Sequence, residues 1–209
     1  MFNKEVYEGI RSEIPLPVKI LGVTKNKSIE EMIEAINSGI KILGENYIQE
    51  AEEKYEKLKE LFQKRDISFH LIGHLQSNKV KTAVRIFDCI ETLDSLKLAE
   101  KINSYCKKLN KKIDVMIEIN FDENKKSGIG AEELSSFLKE IHNFQNLNLI
   151  GLMCIPKIGA GEEYFEKMKE LKEKYCLKEL SMGMSSDYKI AVEKGATIIR
   201  LGRILFGER

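Results

Sequence analysis

The chain has 209 residues, of which 43% are hydrophobic and 32% charged, so it can bury a large core and is too apolar to be disordered. Its 34 Lys and Arg residues against 33 Asp and Glu residues give a formal net charge of +1, which argues against broad electrostatic binding to nucleic acid or to an anionic membrane. No apolar run approaches the roughly 20 residues of a membrane span, and we expect one domain over residues 1–209.

Eight short runs of apolar and β-branched residues recur along the chain and predict eight strands. They lie at residues 18–23, 42–44, 67–72, 86–93, 114–119, 147–155, 177–181 and 197–201. Each run has the length and the bounding residues of a strand that is buried on both faces.

Longer stretches with helical spacing separate these runs. The clearest begins at Ser28, which forms a capping box with Glu31, and this helix should end at Gly39. Similar patterns predict helices at residues 95–109, 131–144, 162–175 and 187–194, the last of which ends at Gly195.

The alternation of strands and helices predicts an α/β fold with parallel strands and right-handed crossovers. About eight such units in a chain of this length fit a single-domain (β/α)8 TIM barrel. An open doubly wound sheet is the main alternative. In a barrel, functional side chains lie where strands end and the following loops begin, so the residues after each predicted strand are the candidates for a site.

Two strand ends near the N-terminus carry candidate ligand-binding groups. Lys25 follows the first predicted strand, and burial there would lower the pKa of its amine, which could then attack an aldehyde and form a Schiff base. An exposed loop lysine is the simpler interpretation, and it suits Lys27 well. Asn46, after the second strand, can donate and accept hydrogen bonds, although a local turn explains it equally well.

The third predicted strand region contains two histidines. His70 lies within the apolar run, which favours a core histidine whose hydrogen bonds are satisfied. His74 follows Gly73 at the strand end and has no Cys or carboxylate at metal-ligand spacing, so we expect no zinc site.

The last two strand ends predict an anion site. Ser185 and Ser186 precede a helix in a position that suits phosphate binding, although a serine there can also simply cap the helix. Arg200 stays charged within an apolar β run and therefore needs partners, of which a surface ion pair is the ordinary kind. Gly202 permits close backbone approach, and the loops after strands seven and eight of barrels often bind phosphate.

Seven segments, taken in chain order, carry a more specific signal than any one of them alone. They are Val23-Thr-Lys25, Gly44-Glu-Asn-Tyr47, His70-Leu-Ile-Gly-His-Leu-Gln-Ser-Asn-Lys79, Lys126-Ser-Gly128, Gly151-Leu-Met153, Ser181-Met-Gly-Met-Ser-Ser-Asp187 and Arg200-Leu-Gly-Arg-Ile-Leu-Phe-Gly207. Together they cover nearly the whole chain. The set resembles the pyridoxal 5′-phosphate (PLP) homeostasis proteins, a family with a barrel of the alanine-racemase N-terminal type.

The resemblance implies a PLP carrier with no established catalytic reaction and no assigned catalytic residue. It implies that Lys25 holds the cofactor as a Schiff base. It also implies that Ser185, with backbone groups around Gly202 and Arg203, holds the phosphate. Such a protein would buffer PLP inside the cell or deliver it to PLP-dependent apo-enzymes.

The resemblance further implies that Arg200 faces the pyridine nitrogen of PLP and that Asn46 lies beside the ring. Enzymes that use PLP as a full electron sink commonly place a carboxylate at this nitrogen. Arginine has only hydrogen-bond donors and stays charged, so it favours an unprotonated ring that stabilises a carbanion less well. This chemistry favours a carrier over an enzyme.

A PLP-dependent, racemase-like enzyme is the main alternative. Racemases of the related class use a second domain that supplies a tyrosine base at a dimer interface. This chain ends at Gly207-Glu-Arg209, directly after the eighth strand, so we expect no such domain and a monomer. Tyr47, His74 and Lys126 are conceivable bases at the barrel rim, but the sequence singles out none of them. A phosphosugar-type barrel without PLP is a third hypothesis.

The cysteines and the N-terminus bear on location. Cys89, Cys106, Cys154 and Cys176 are widely scattered and lack paired metal-ligand spacing. We therefore expect reduced thiols, no metal site and a cytoplasmic protein. The first eight residues are charged where a signal peptide would need an apolar stretch.

Overall fold

The structure is a computed structural model that describes residues 1–122, 127–157 and 161–207. Within these ranges, nine strands form one sheet in which every pairing is parallel. They are β1 (Lys19–Val23), β2 (Ile42–Glu45), β3 (Ser68–Leu71), β4 (Cys89–Leu93), β5 (Ile113–Asn120), β6 (Ile129–Gly130), β7 (Leu147–Cys154), β8 (Glu179–Ser181) and β9 (Ile198–Leu201).

Eight of these strands close into a barrel. Around the ring the order is β1, β2, β3, β4, β5, β7, β8 and β9, and β9 pairs with β1 again. The short β6 pairs with the end of β5 at Ile119 and Asn120. The closed ring confirms the predicted (β/α)8 barrel and excludes the open doubly wound sheet.

Helices follow the strands and cover the outside of the barrel. They are α1 (Lys4–Glu13), α2 (Ile29–Asn37), α3 (Ile48–Arg65), α4 (Val80–Ile86), α5 (Leu96–Lys108), α6 (Leu134–Ile141), α7 (Gly161–Lys174), α8 (Tyr188–Glu193) and α9 (Arg203–Phe206). Short 3-10 turns at Ser77–Lys79 and Ala131–Glu133 precede α4 and α6. Among the described helices, none combines the length and the apolar character that crossing a bilayer requires.

The predicted boundaries of α2 are confirmed. Ser28 accepts a hydrogen bond from the Glu31 N–H, and the Glu31 carboxylate accepts one from the Ser28 N–H, which together make the capping box. Gly39 lies just beyond the helix end with φ +109°, a left-handed conformation that a glycine adopts without strain.

Two parts of the element prediction were wrong. The predicted strand 86–93 begins too early, because Ile86 ends α4 and β4 starts only at Cys89. Ile86 and Phe87 are both buried, so the apolar run continues through the turn and hides the boundary. The predicted helix 131–144 is shorter, since it opens with a 3-10 turn and α6 ends at Ile141.

The sequence patterns also overlooked α1, α3, α4 and α9. The longest of these, α3, is 18 residues long and highly charged. Its buried apolar stripe is confined to Ile48, Ala51, Leu58 and Phe62, whose successive separations of three, seven and four positions place them on one side of a helix.

The strand register places the predicted site residues at one end of the barrel. Val23 of β1 pairs with Gly44 of β2, and Leu21 pairs with Arg200 of β9. In a parallel barrel all strands end on the same side. Lys25 lies two residues after the end of β1 and Asn46 directly follows β2, so both lie at the end that Arg200 approaches from β9.

Candidate functional site

A cavity of about 550 Å³ opens at the carboxyl end of the barrel. The six predicted site residues all line it, namely Lys25, Asn46, Ser185, Arg200, Gly202 and Arg203. Val23, Ile72, Ile155 and Met184 add apolar wall. The fold thus gathers residues from four strand ends into one space, while their roles toward a ligand stay predictions.

Lys25 occupies a loop that is anchored on both sides. Thr24, directly before it, is fully buried, and its hydroxyl donates to the Glu45 carboxylate at 2.8 Å. Asn26, directly after it, has φ 59°, and its N–H donates to the Glu50 carboxylate at 2.5 Å. These two anchors set the position from which the partly buried Lys25 side chain reaches the cavity.

A second lysine, Lys54 on α3, ties this loop to β2. Its buried ammonium donates to the Thr24 carbonyl at 2.6 Å, to Glu45 at 2.7 Å and to Glu50 at 2.6 Å. Burial raises the pKa of Glu45, although the neighbouring Lys54 charge acts in the opposite direction. This cluster was not predicted from the sequence. The feature that could have indicated it is a lysine on the apolar stripe of α3, between Ala51 and Leu58.

Asn46 lies against the chain that follows β3. A Cβ added at Gly73 would come within 2.2 Å of the Asn46 carbonyl oxygen, so only a glycine allows this approach. The side-chain Oδ1 of Asn46 is buried and finds no hydrogen-bond donor among the described residues. A buried acceptor of this kind is costly to leave unpaired, so it fits a ligand that carries a donor.

The loop after β8 meets the turn after β9 at the cavity wall. The Ser185 hydroxyl accepts a hydrogen bond from the Ile204 N–H at 3.4 Å, which is long and therefore weak. Neither Ser185 nor Ser186 caps α8, because Asp187 occupies the N-cap position. A Cβ at Gly202 would meet only Val23, at 3.4 Å, so the protein's own packing does not require a glycine there.

Arg200 is buried in the barrel, with only 4% of its surface exposed, so the surface ion-pair interpretation was wrong. Its Nη1 donates to the Ser181 hydroxyl at 2.8 Å and its Nη2 donates to the Cys154 carbonyl at 2.7 Å. These contacts use two of the five N–H donors of a guanidinium group. The other donors are available for a ligand in the cavity.

His70 is a core histidine with satisfied hydrogen bonds, as predicted. Its Nδ1 lies 2.6 Å from the Glu91 carboxylate, and its Nε2 lies 2.9 Å from the Ser68 hydroxyl. Glu91 is fully buried and also accepts a hydrogen bond from Ser181 at 2.5 Å. The contact between Glu91 and Ser181 was not predicted, because the two residues lie on strands that are distant in sequence.

His74 has a carboxylate neighbour that its local sequence did not reveal. Its Nδ1 lies 3.3 Å from Asp94 Oδ2. The two residues follow β3 and β4, which pair with each other in the barrel. Burial raises the pKa of Asp94.

In the described parts of the chain, no group of three His, Cys, Asp or Glu side chains is placed to hold a metal ion. Lys126, the other candidate rim base besides the exposed Tyr47, lies outside the described residues.

Comparison with known protein sequences identifies similar proteins over the whole chain. Residues 5–209 match the family profile described as the alanine racemase N-terminal domain. The chain is 40% identical to a pyridoxal phosphate homeostasis protein of Aquifex aeolicus, over 91% of this chain and 87% of that protein. It is 36% identical to the human protein of the same name, over 99% of this chain and 84% of that protein.

Comparison with solved structures points the same way. PipY of Synechococcus elongatus, solved without PLP and with PLP bound, superposes with a TM-score of 0.90 and 34% identity, over 98% of this chain and 99% of that chain. An alanine racemase of Clostridium difficile superposes with a TM-score of 0.78 and 16% identity, over 98% of this chain but 56% of that chain. The second likeness concerns the fold alone.

Proposed function

Because the chain belongs to the pyridoxal phosphate homeostasis protein family, we propose that it binds PLP in the cavity at the carboxyl end of the barrel and serves as a PLP carrier. The observation that carries this proposal is the convergence on one cavity of the six residues that the sequence and the family resemblance predicted. The PLP-bound structure of PipY, a relative of the same fold and length, supports it.

The groups around the cavity fit the parts of PLP. When bound, PLP supplies an aldehyde that condenses with a primary amine to form a Schiff base, with loss of water. Lys25 offers that amine at the cavity wall. The Oδ1 of Asn46 is buried and has no donor in the described parts of the protein, so it suits the hydroxyl group on the ring.

The phosphate of PLP suits the part of the cavity formed after β8 and β9. Ser185 offers a hydroxyl whose one described contact is weak, and Arg203 brings a positive charge to the same part. Backbone N–H groups at Gly202 and Arg203 are further donors of the kind that bind phosphate oxygens. The proposal therefore assigns phosphate binding to Ser185, Gly202 and Arg203.

In this proposal, the chemistry of Arg200 favours a carrier over a catalyst. Its guanidinium stays positively charged and carries only donors, so it cannot accept a proton from the ring nitrogen or stabilise a protonated one. An unprotonated ring withdraws electrons less strongly than a protonated one. We therefore assign Arg200 to holding the ring nitrogen, in a site that binds PLP without turning over a substrate.

Reduction of the PLP-loaded protein with borohydride, followed by peptide mapping, tests the proposal. We expect the reduced PLP label on Lys25, and we expect Lys25→Ala to lose both the label and the visible absorbance of bound PLP. Lys27→Ala is the matched control, because the Lys27 amine donates to the Phe206 carbonyl at 2.8 Å and is held away by that contact. A wild-type protein that binds no PLP after soaking, or a label on Lys27, would overturn the proposal.

A racemase-like activity is tested by the exchange of amino-acid α-protons in deuterated buffer. We expect no exchange across a broad panel of amino acids. Exchange that depends on both PLP and Lys25 would replace the carrier by an enzyme.

We also propose that the protein works in the cytoplasm, as a monomer, and that PLP-dependent apo-enzymes receive its cofactor. No disulfide is described between the four cysteines, and three of them are buried, which suits a reducing compartment. Sedimentation of the loaded protein tests the monomer. Activation of an apo-enzyme by the loaded protein, at a rate that a scavenger of free PLP does not reduce, would support direct delivery.

A further inference from the structure

A continuous chain of hydrogen bonds crosses the inside of the barrel. Arg200 Nη1 donates to Ser181 Oγ at 2.8 Å, and Ser181 Oγ donates to Glu91 Oε2 at 2.5 Å. Glu91 Oε1 lies 2.6 Å from His70 Nδ1, and His70 Nε2 lies 2.9 Å from Ser68 Oγ. Arg200 lines the cavity at the carboxyl end, whereas His70 and Ser68 line a second cavity at the opposite end.

Four members of this series of hydrogen bonds face the barrel interior. They are His70 on β3, Glu91 on β4, Ser181 on β8 and Arg200 on β9. The residues before Glu91 and Arg200, Ile90 and Ile199, point outward into the apolar core between sheet and helices. Side chains alternate across a strand, so Glu91 and Arg200 point inward. Two charged groups are thus enclosed together in the middle of the fold.

The chemistry of each group sets the direction of the hydrogen bonds. A carboxylate only accepts, so the Nδ1 of His70 carries the proton that Glu91 accepts. Burial alone would raise the pKa of Glu91, but the His70 hydrogen bond, the Arg200 charge and the Ser181 hydroxyl outweigh it and hold this pKa below its usual value. Glu91 is therefore an anion that balances the Arg200 cation.

We propose that Glu91 is a positioning residue for PLP, which holds the guanidinium of Arg200 at the cavity through Ser181 and balances its charge. The inference rests on the proposed function, since it concerns how Arg200 meets the ring nitrogen. Arg200 cannot give up its proton, so Glu91 acts through the orientation and charge of this side chain and not through proton transfer.

The charged and titratable groups around Glu91 are few in the described part of the chain. His70 approaches it from β3 and Arg200 acts on it from β9. The thiol of Cys89, on β4 itself, senses the Glu91 charge and has a pKa raised well above its usual value, mainly by burial. A change of charge at Glu91 therefore acts on His70 and on Arg200, and of these two only Arg200 lines the cavity at the carboxyl end.

The test compares Glu91→Gln with wild type in binding of PLP and in the pH titration of the visible absorbance of bound PLP. The substitution nearly keeps the shape and removes the charge, which leaves the Arg200 cation unbalanced. A protonated, cationic form of bound PLP then becomes less favourable. We expect its apparent pKa to fall by about one unit, a tenfold change in proton affinity, and the affinity for PLP to fall by about tenfold.

Met116→Leu is the matched control, because Met116 is fully buried in the apolar cluster inside the barrel and lies outside the polar chain. A swap of similar volume perturbs the interior without touching a charge. We expect wild-type affinity and wild-type titration from it. If Glu91→Gln folds and shows the same affinity and titration as Met116→Leu, the inference is wrong.

Ser181→Ala tests the same inference if Glu91→Gln does not fold. It removes only the hydroxyl between Glu91 and Arg200, so we expect weaker PLP binding and a smaller shift in the same direction, both reversed in Ser181→Thr. Wild-type behaviour of Ser181→Ala would overturn the inference. A wild-type protein that binds no PLP would instead overturn the proposed function, so the two failures are distinguishable.

Discussion

The two ends of the barrel hold cavities of similar size but different chemistry. The cavity at the amino end is the larger, at about 740 Å³, and many charged side chains line it. Most of them already make hydrogen bonds within the protein. Lys19 lies 2.7 Å from Glu179, Lys41 donates to the Arg65 carbonyl at 2.6 Å, and the terminal nitrogens of Arg11 bind three backbone carbonyls, although its Nε has no described acceptor.

The smaller cavity at the carboxyl end holds groups whose hydrogen-bonding capacity is not used up. Asn46 has a buried acceptor without a described donor, Arg200 has donors to spare, and Ser185 makes a weak contact. Groups whose hydrogen bonds are satisfied within the protein stabilise the fold, whereas groups with unused hydrogen-bonding capacity can bind a ligand. We propose that unused hydrogen-bonding capacity, and not volume, distinguishes the ligand-binding end of this barrel.

The largest expected difference between the ends concerns stability. Arg200→Ala leaves the Glu91 charge buried without its balancing cation, which should cost about 3–5 kcal/mol of unfolding free energy. Lys19→Ala also leaves a buried carboxylate, Glu179, but this group keeps its hydrogen bond from Thr197 and its lost partner is half exposed, so the change should cost less, about 1–2 kcal/mol. Urea unfolding of both variants without PLP measures this. Equal losses would contradict the distinction between the interior chain and the pairs at the amino end.

The close approach at the carboxyl end should be sensitive to a single methyl group. In Gly73→Ala the new Cβ would clash with the Asn46 backbone, which should cost about 1–3 kcal/mol and weaken PLP binding. Gly9→Ala is the control, because a Cβ at Gly9 in α1 meets nothing within 4 Å and should stabilise the helix by up to about 1 kcal/mol. Thermal unfolding and PLP titration read both effects. A Gly73→Ala protein as stable as wild type would show that this approach can relax.

Loss of the Ser185 hydroxyl should affect the affinity for PLP more than the stability of the fold. We expect Ser185→Ala to bind PLP about tenfold more weakly, since a hydrogen bond to a charged group contributes roughly 1.5–3 kcal/mol. Asn148→Ala removes a polar side chain from the cavity at the amino end and should leave PLP affinity unchanged. Absorbance titration compares the two. An unchanged affinity in Ser185→Ala would remove this serine from the phosphate site.

The smallest expected effect is a pH dependence at the amino end. Burial raises the pKa of Glu179, but hydrogen bonds from Lys19 and Thr197 outweigh it and lower this pKa below the usual 4.5. A depressed carboxyl pKa stabilises the fold above the unfolded value and loses that contribution as the pH falls through the folded value. Glu179→Gln should therefore lose less than about 1 kcal/mol near neutral pH and show a smaller difference from wild type in acid. Unfolding free energies across this pH range measure it; a difference that grows in acid would contradict the assignment.

The fold was largely predictable because a barrel strand is buried on both faces. Residues such as Ile42 and Leu43 are both enclosed, one inside the barrel and one under the helices, so the strand reads as a continuous apolar run. The helix α3 was overlooked because most of its surface is charged and its apolar stripe is narrow. The end of α4 was misplaced because burial continues through its turn at Phe87.

The site was predictable where one residue is chemically out of place in its own segment. Lys25 at a strand end and Arg200 in an apolar run stand out in this way. Glu91 and Ser181 do not, since they lie 90 positions apart and meet only across the closed barrel. The same holds for Lys54, which reaches Thr24 from 30 positions away.

The sequence by itself determined which segments become strands and which polar side chains follow them, because burial pattern and strand-end position are local properties. Only the tertiary structure decided that the sheet closes, that Arg200 is linked to Glu91 through Ser181, and that Asn46 has an acceptor without a donor among the described residues. The physical reason is that hydrogen bonds and charge balance depend on distances between strands, and these distances exist only once the barrel has formed.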